Sequence, residues 1–133
     1  MKICFIDNTN FKYDAESINS EKLRGAETVL INLSKELNLL DNQITIINNC
    51  PETKIINDIK WININNLSNI ENFDVVIANG DCNLFKFANS KNNILFSHSL
   101  QSLEKFLRKK QLLPFIKYKP KVCFLSNYHK INR

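Results

Sequence analysis

The chain has 133 residues, 44% of them hydrophobic and 23% charged, with a formal net charge of +5. That length supports one domain, 1–133, with a real core, and the composition is that of an ordinary globular protein rather than a disordered or fibrous one. No apolar run approaches a membrane span and Met1-Lys2 begins no recognisable signal peptide, so the expected setting is cytoplasmic.

The first element is an apolar strand, Lys2-Ile3-Cys4-Phe5-Ile6. A polar connection from Asp7 to Lys22 follows, longer than the two to six residues usual in an α/β loop, which favours a functional loop over mere wiring. A helical stripe then runs from Ala26 through Val29, Leu30, Leu33 and Leu37 to Leu40. Gly25, one of only two glycines, stands at the mouth of that helix. A strand, a glycine-bearing loop and a helix start suit an anion, because the first amides lack intrahelical partners and the helix dipole favours negative charge there. No GxGxxG and no Walker lysine sharpens the pattern.

Four more apolar runs follow: Ile44-Thr45-Ile46-Ile47, Asp74-Val75-Val76-Ile77-Ala78, Asn93-Ile94-Leu95-Phe96 and Val122-Cys123-Phe124-Leu125. Each is rich in β-branched or aromatic residues and lacks polar alternation, as strands do when both faces are covered. Ile59 to Ile64 suggests a short edge strand. Asn79-Gly80-Asp81 suggests a turn into a helix over Leu84 to Ala88. The expected fold is α/β: a Rossmann-like, mainly parallel sheet with helices on both faces, whose ligands bind at the carboxyl ends of the strands. Asparagine is abundant, which fits an AT-rich coding sequence, and it receives little functional weight.

Cys4, Cys50, Cys82 and Cys123 are scattered without a CxxC pair. They are expected to be structural free thiols, with Cys4 and Cys123 in apolar strand runs acting as small buried hydrophobes. His98 and His129 are too far apart in sequence for a local metal site, and no metal is expected. Asp7, Asp81 and Glu104 fall near strand ends or helix starts, but no pair has a spacing that assigns an acid and a base. Glu104 has an ordinary role available in pairing with Arg108 four residues on.

An N-terminal strand, a polar loop, Gly-Ala-Glu at 25–27, then Val-Leu-Ile-Asn-Leu-Ser-Lys-Glu-Leu, followed by Gln43-Ile44-Thr45-Ile46-Ile47 and Phe73-Asp74-Val75-Val76-Ile77, make a recognisable series. The whole resembles the N-terminal, acceptor-side half of retaining GT-B glycosyltransferases of the family 4 kind. Arg24 stands where that family usually has a first glycine. The segment from Phe96 to Phe106 resembles the family's strand-end histidine region, and Lys121 to Tyr128 resembles the strand leading to its interdomain crossing. The resemblance implies a cleft in which Arg24, Gly25, Ala26 and Glu27 face the donor diphosphate and His98 sits beside the transferred sugar as the catalytic group. It implies a nucleotide-sugar donor as substrate, a glycan or lipid-linked acceptor, no other cofactor, and a second domain with a Glu-x7-Glu signature. No such domain fits within this sequence. The chain is therefore expected to be an N-terminal domain, a truncated form or half of a split enzyme, inactive by itself.

Plainer roles stand beside these. Glu27 in a first helical turn also complements the dipole, and a histidine at a strand end is commonly a structural hydrogen-bonder. Lys105, Arg108, Lys109 and Lys110 open a basic, amphipathic stretch reaching Lys121, which suits an anionic membrane surface or an acidic acceptor as well as a solvated helix face. No RNP, helix-turn-helix or zinc motif supports nucleic acid as a partner. The alternative functional class is a non-catalytic α/β module that binds a small anion or a protein partner in the same strand-end cleft.

Overall fold

A computed structural model of the chain describes residues 1–18, 23, 25–97 and 117–124. Seven strands form one sheet: β1 Lys2–Ile6, β2 Gln43–Asn48, β3 Lys54–Ile56, β4 Ile59–Asn63, β5 Val75–Asn79, β6 Asn93–Ser97 and β7 Lys121–Phe124. Their spatial order is β3-β4-β2-β1-β5-β6-β7. Every neighbouring pair is parallel except β3 with β4. The chain therefore winds outward from β1 in two directions, and the direction reverses between β1 and β5. Such a reversal leaves a crevice outside the carboxyl ends of the strands, since the two outgoing connections lie on opposite sides of the sheet.

The apolar runs form parallel strands because both of their faces are covered. On one face Ile3, Phe5, Ile44, Ile46, Ile59, Trp61, Ile77 and Phe96 pack with Leu30 and Ile31 of the helix α1, Gly25–Leu39. On the other, Cys4, Ile6, Ile47, Ile62, Val76, Ala78 and Leu95 pack with Cys82, Leu84 and Phe85. The single-residue alternation along each strand sends neighbours to opposite cores. The connection from β1 to β2 thus covers one face and that from β5 to β6 the other, as right-handed crossovers require when the chain winds both ways.

The observed elements depart from the sequence expectations in three respects. The segment expected as a helix over Leu84 to Ala88 is a 3-10 turn, Cys82–Phe87, capped by Asp81, whose carboxylate accepts from Asn83 N at 2.9 Å. Among the described residues α1 covers one face and the turn Cys82–Phe87 packs on the other; the connection from β6 to β7 lies largely outside the described residues, so helices on both faces stay an expectation. The strand expected over Ile59 to Ile64 is β4, Ile59–Asn63, and it is not at the edge, because the unforeseen β3 pairs outside it. A parallel pair needs a crossover, and β3 supplies the return leg between β2 and β4 where a helix is the usual solution. Finally, the buried positions of α1 are Glu27, Leu30, Ile31 and Ser34, while Leu39 and Leu40 are exposed. The helix is rotated relative to the purely apolar stripe, and Ser34 tolerates burial because its hydroxyl donates to Ile31 O at 2.8 Å.

The β3–β4 hairpin turns on two residues, Asn57 and Asp58, with φ of 51° and 67°. Positive φ at both central positions matches the twist of a two-residue hairpin and favours Asn, Asp and Gly there. Asp58→Val should lower stability by about 1–2 kcal/mol, because a β-branched residue is forced into the left-handed region, whereas Asp58→Gly should be neutral or stabilising. Urea denaturation of the two variants checks the turn; equal stability of the Val variant would mean that this conformation is not needed.

Candidate functional site

The carboxyl edge of the sheet is built from side chains that end the strands. Asn48, Asn63 and Asn79 are the last residues of β2, β4 and β5, and all three are buried. Asn48 Nδ2 donates to Tyr13 O at 3.0 Å, Asn63 Nδ2 to Cys50 O at 2.7 Å and Asn79 Nδ2 to Asp7 Oδ1 at 3.4 Å. An amide in this position satisfies the carbonyls of the loop that crosses the strand end, which would otherwise be buried without partners. The asparagines that seemed compositional therefore include three that hold the loops of this edge. The sequence signal that could have found them is their position, each closing an apolar run.

The long connection after β1 is not free over its described half. Tyr13 is 1% exposed, with its ring 5.9 Å from Phe11 and 6.3 Å from Trp61, centroid to centroid. Its hydroxyl donates to the buried Asp7 Oδ2, and its backbone N–H donates to Asn49 O at 3.2 Å. Burial, the nearby Asp7 carboxylate and more weakly Glu27 push the Tyr13 phenol far up, so it remains a hydrogen donor. Asp14 caps the 3-10 turn Ala15–Ser17, and Lys54 bridges to Glu16 at 3.2 Å, Glu52 at 3.7 Å and Asp14 at 3.8 Å. Hydrogen bonding to Glu16 raises the Lys54 ammonium above its ordinary value. This half of the loop closes over the ends of β2 and β4, and the β1–β5 reversal stays beside it. There Asn8 Nδ2 donates to Asp81 Oδ2 at 3.2 Å, and Gly80 takes φ of 76°.

At the start of α1, Gly25 is exposed, Ala26 half-buried and Glu27 fully buried. Gly25 has no positive φ, and a Cβ built on it meets nothing within 4 Å among the described residues. Among the described residues neither backbone conformation nor packing demands a glycine there. Glu27 is not the exposed first-turn charge that a dipole argument expects; it lies inward, close enough to Tyr13 to act on its phenol. Arg24, His98, Lys105, Arg108, Lys109 and Lys110 lie outside the described residues. Asp7 and Asp81 fall at the edge where the sequence placed them, whereas Tyr13, Asn48 and Asn79 were not foreseen.

Among the described residues no group of three or more His, Cys, Asp and Glu side chains could hold a metal ion, and no helix is long and apolar enough to cross a membrane. A groove of about 800 Å³ opens at the opposite, amino-terminal edge, beside Met1, Asp74 and Asn92. Its walls mix polar loop residues with Met1 and the buried Phe73, and parallel sheets place ligands at the other end; the carboxyl edge is the stronger candidate. Comparisons with protein-family models, with curated proteins and with solved structures gave no match.

The thiols divide by burial. Cys4, Cys50 and Cys82 are buried, whereas Cys123 is exposed on β7, against the expectation that its apolar run would bury it. Burial, with Asp81 adding, pushes the Cys82 thiol from 9.0 up to about 12, and burial drives Cys4 and Cys50 upward also. The unfolded chain loses the Cys82 proton near the ordinary value while the native state keeps it. The native state then binds more protons between about pH 9 and about pH 12, and its stability falls as pH rises through that window. Denaturation midpoints at about pH 7 and about pH 10 should show the fall; a flat profile would contradict it. In native protein a thiol reagent should label Cys123 rapidly and the other three only on unfolding.

Proposed function

We propose that this chain is the Rossmann-like, acceptor-side domain of a GT-B glycosyltransferase of the family 4 kind, which receives a sugar nucleotide's diphosphate at the start of α1. The observation that carries the reading is Gly25, a glycine at a helix N-terminus for which the described residues show neither a conformational nor a packing need. The start of a 15-residue helix offers free amides and a favourable dipole, and the missing side chain lets an anion approach them. The strand order supports the same reading, since the parallel strands follow the 3-2-1-4-5-6 order of the doubly wound nucleotide-binding sheet. The sequence resemblance adds the sugar-transfer class, with His98 as the candidate catalytic group and the basic stretch from Lys105 as the candidate acceptor or membrane contact. A one-walled cleft orients donor and acceptor poorly, so sugar transfer belongs to the assembled two-domain enzyme.

Amide-resolved NMR tests the reading. Inorganic pyrophosphate should move the amide signals of Gly25, Ala26 and Glu27 and leave those around Asn72 and Asn92 in place, with an affinity on the order of millimolar for so few contacts. Gly25→Val should still fold, because a Cβ at this position meets no described atom within 4 Å, yet lose the response. No shift at these amides, or an unchanged response in the Val variant, would remove the anion site. Purified chain incubated with nucleotide sugars and acceptors should show no transfer; robust turnover would refute the half-enzyme assignment.

A further inference from the structure

Side chains from three separate segments meet at the carboxyl edge. Tyr13, in the β1–α1 connection, donates to Asp7 Oδ2, and Asp7 Oδ1 accepts from Asn79 Nδ2 at 3.4 Å. Asp7 directly follows β1 and Asn79 closes β5, so the two hydrogen bonds tie the connection to the point where strand order reverses. Tyr13, Asp7 and Asn79 are 1%, 3% and 9% exposed. Water has little access to exchange with these bonds, and a buried carboxylate that lost a donor would have to find another partner.

The hydroxyl of Tyr13 is separable from the rest of the residue. Its ring is held by Phe11 and Trp61, its carbonyl by Asn48 and its N–H by Asn49 O. Apart from a weaker side-chain interaction with Asn48, the phenol oxygen takes no part in these contacts. Burial first, then Asp7 and more weakly Glu27, keep the hydrogen on that oxygen, so the bond to Asp7 has one direction. Two donors, one on each oxygen, fix both the rotation and the position of the Asp7 carboxylate. A third contact, from Asn8 Nδ2 to Asp81 Oδ2, crosses the same reversal closer to solvent.

We propose that Tyr13 is a positioning residue: acting through Asp7 and Asn79, it sets the β5 turn at Gly80-Asp81 against the loop that leads into α1, and thereby shapes the seat of a diphosphate-bearing ligand. The ligand half of this inference rests on the anion site proposed at Gly25, whereas the bridge between loop and turn stands on the hydrogen bonds alone.

Tyr13→Phe retains the ring and removes only the hydroxyl, and Asn79→Ala cuts the bridge at its other end if the first variant folds poorly. In ligand-free protein, Tyr13→Phe should move the side-chain amide resonances of Asn79 and the backbone resonances of Gly80 and Asp81, while those of Asn72 and Asn92 at the far edge stay fixed. Either variant should weaken pyrophosphate binding about tenfold, the scale of one hydrogen bond to a charged group. Tyr13→Phe combined with Asn79→Ala should cost no more than the larger single change, because both break one chain of contacts. Unmoved Asn79 and Gly80 signals in Tyr13→Phe would overturn the bridge whether or not the parent binds pyrophosphate. Moved signals with unchanged affinity, or additive losses in the double variant, would overturn the positioning role. A parent that binds no pyrophosphate removes the anion site and with it the positioning role, whatever the resonances do.

Discussion

Asp7 is the constraint on which the carboxyl edge depends. It follows directly on β1, the strand from which the sheet winds both ways, and it is held on all sides. Its backbone N–H donates to Ile47 O at 3.0 Å, extending the β1–β2 ladder by one residue. Its carboxylate takes the Tyr13 hydroxyl on one oxygen and the Asn79 amide on the other. A carboxylate so deeply buried is tolerable only with such partners, since desolvating the charge would otherwise cost several kcal/mol. Satisfying it obliges Tyr13 to enter the core, which pulls the long connection down over β2. The same requirement puts an amide, and not an apolar residue, at the end of β5.

From this the shape of the edge follows. With Tyr13 packed between Phe11 and Trp61, the first half of the connection is part of the hydrophobic core instead of a mobile flap. The Lys54 ammonium, surrounded by Asp14, Glu16 and Glu52, ties that half to β3 as well. These ion pairs are partly exposed and each is worth little, so the apolar burial of Tyr13 is the larger contribution. Among the described residues, Asn8, Gly80 and Gly25 at the start of α1 remain exposed beside this half of the connection.

The sheet was legible because its signal is strong and local. Runs such as Asp74-Val75-Val76-Ile77-Ala78 have no polar alternation, and only burial on both faces permits that. The rotation of α1 was not legible, because two of the four buried positions, Glu27 and Ser34, are polar. Ser34 is tolerated for a reason that periodicity does not encode, the bond to its own helix, and Glu27 lies inward near Tyr13. The hairpin of β3 and β4 hid for a similar reason. Asn57-Asp58 carries the turn with positive φ in place of an Asn-Gly, and three residues of strand are too short to show a period. Gly25 and Asp7 were found from strand and helix ends, but the Tyr13–Asp7–Asn79 bridge joins residues up to 72 positions apart and could emerge only from the fold.

The three strand-end asparagines carry a more general consequence. In a chain crowded with asparagine, composition says nothing about which ones matter, and the sheet makes the selection. At Asn48, Asn63 and Asn79 the side chain leaves the end of a buried strand and meets a loop carbonyl or carboxylate that needs a donor. An aspartate there would offer two acceptors to an acceptor, and a leucine would leave the partner buried and unpaired. Amide donors are therefore dictated by the acceptors that cross the strand ends. Two of those acceptors, Tyr13 O and Asp7 Oδ1, belong to the connection that passes inward to seat Tyr13, and the third, Cys50 O, to the connection between β2 and β3. The long polar loop, the tyrosine within it, and Asn48 and Asn79 beneath it form one solution to closing half of a parallel sheet's carboxyl edge.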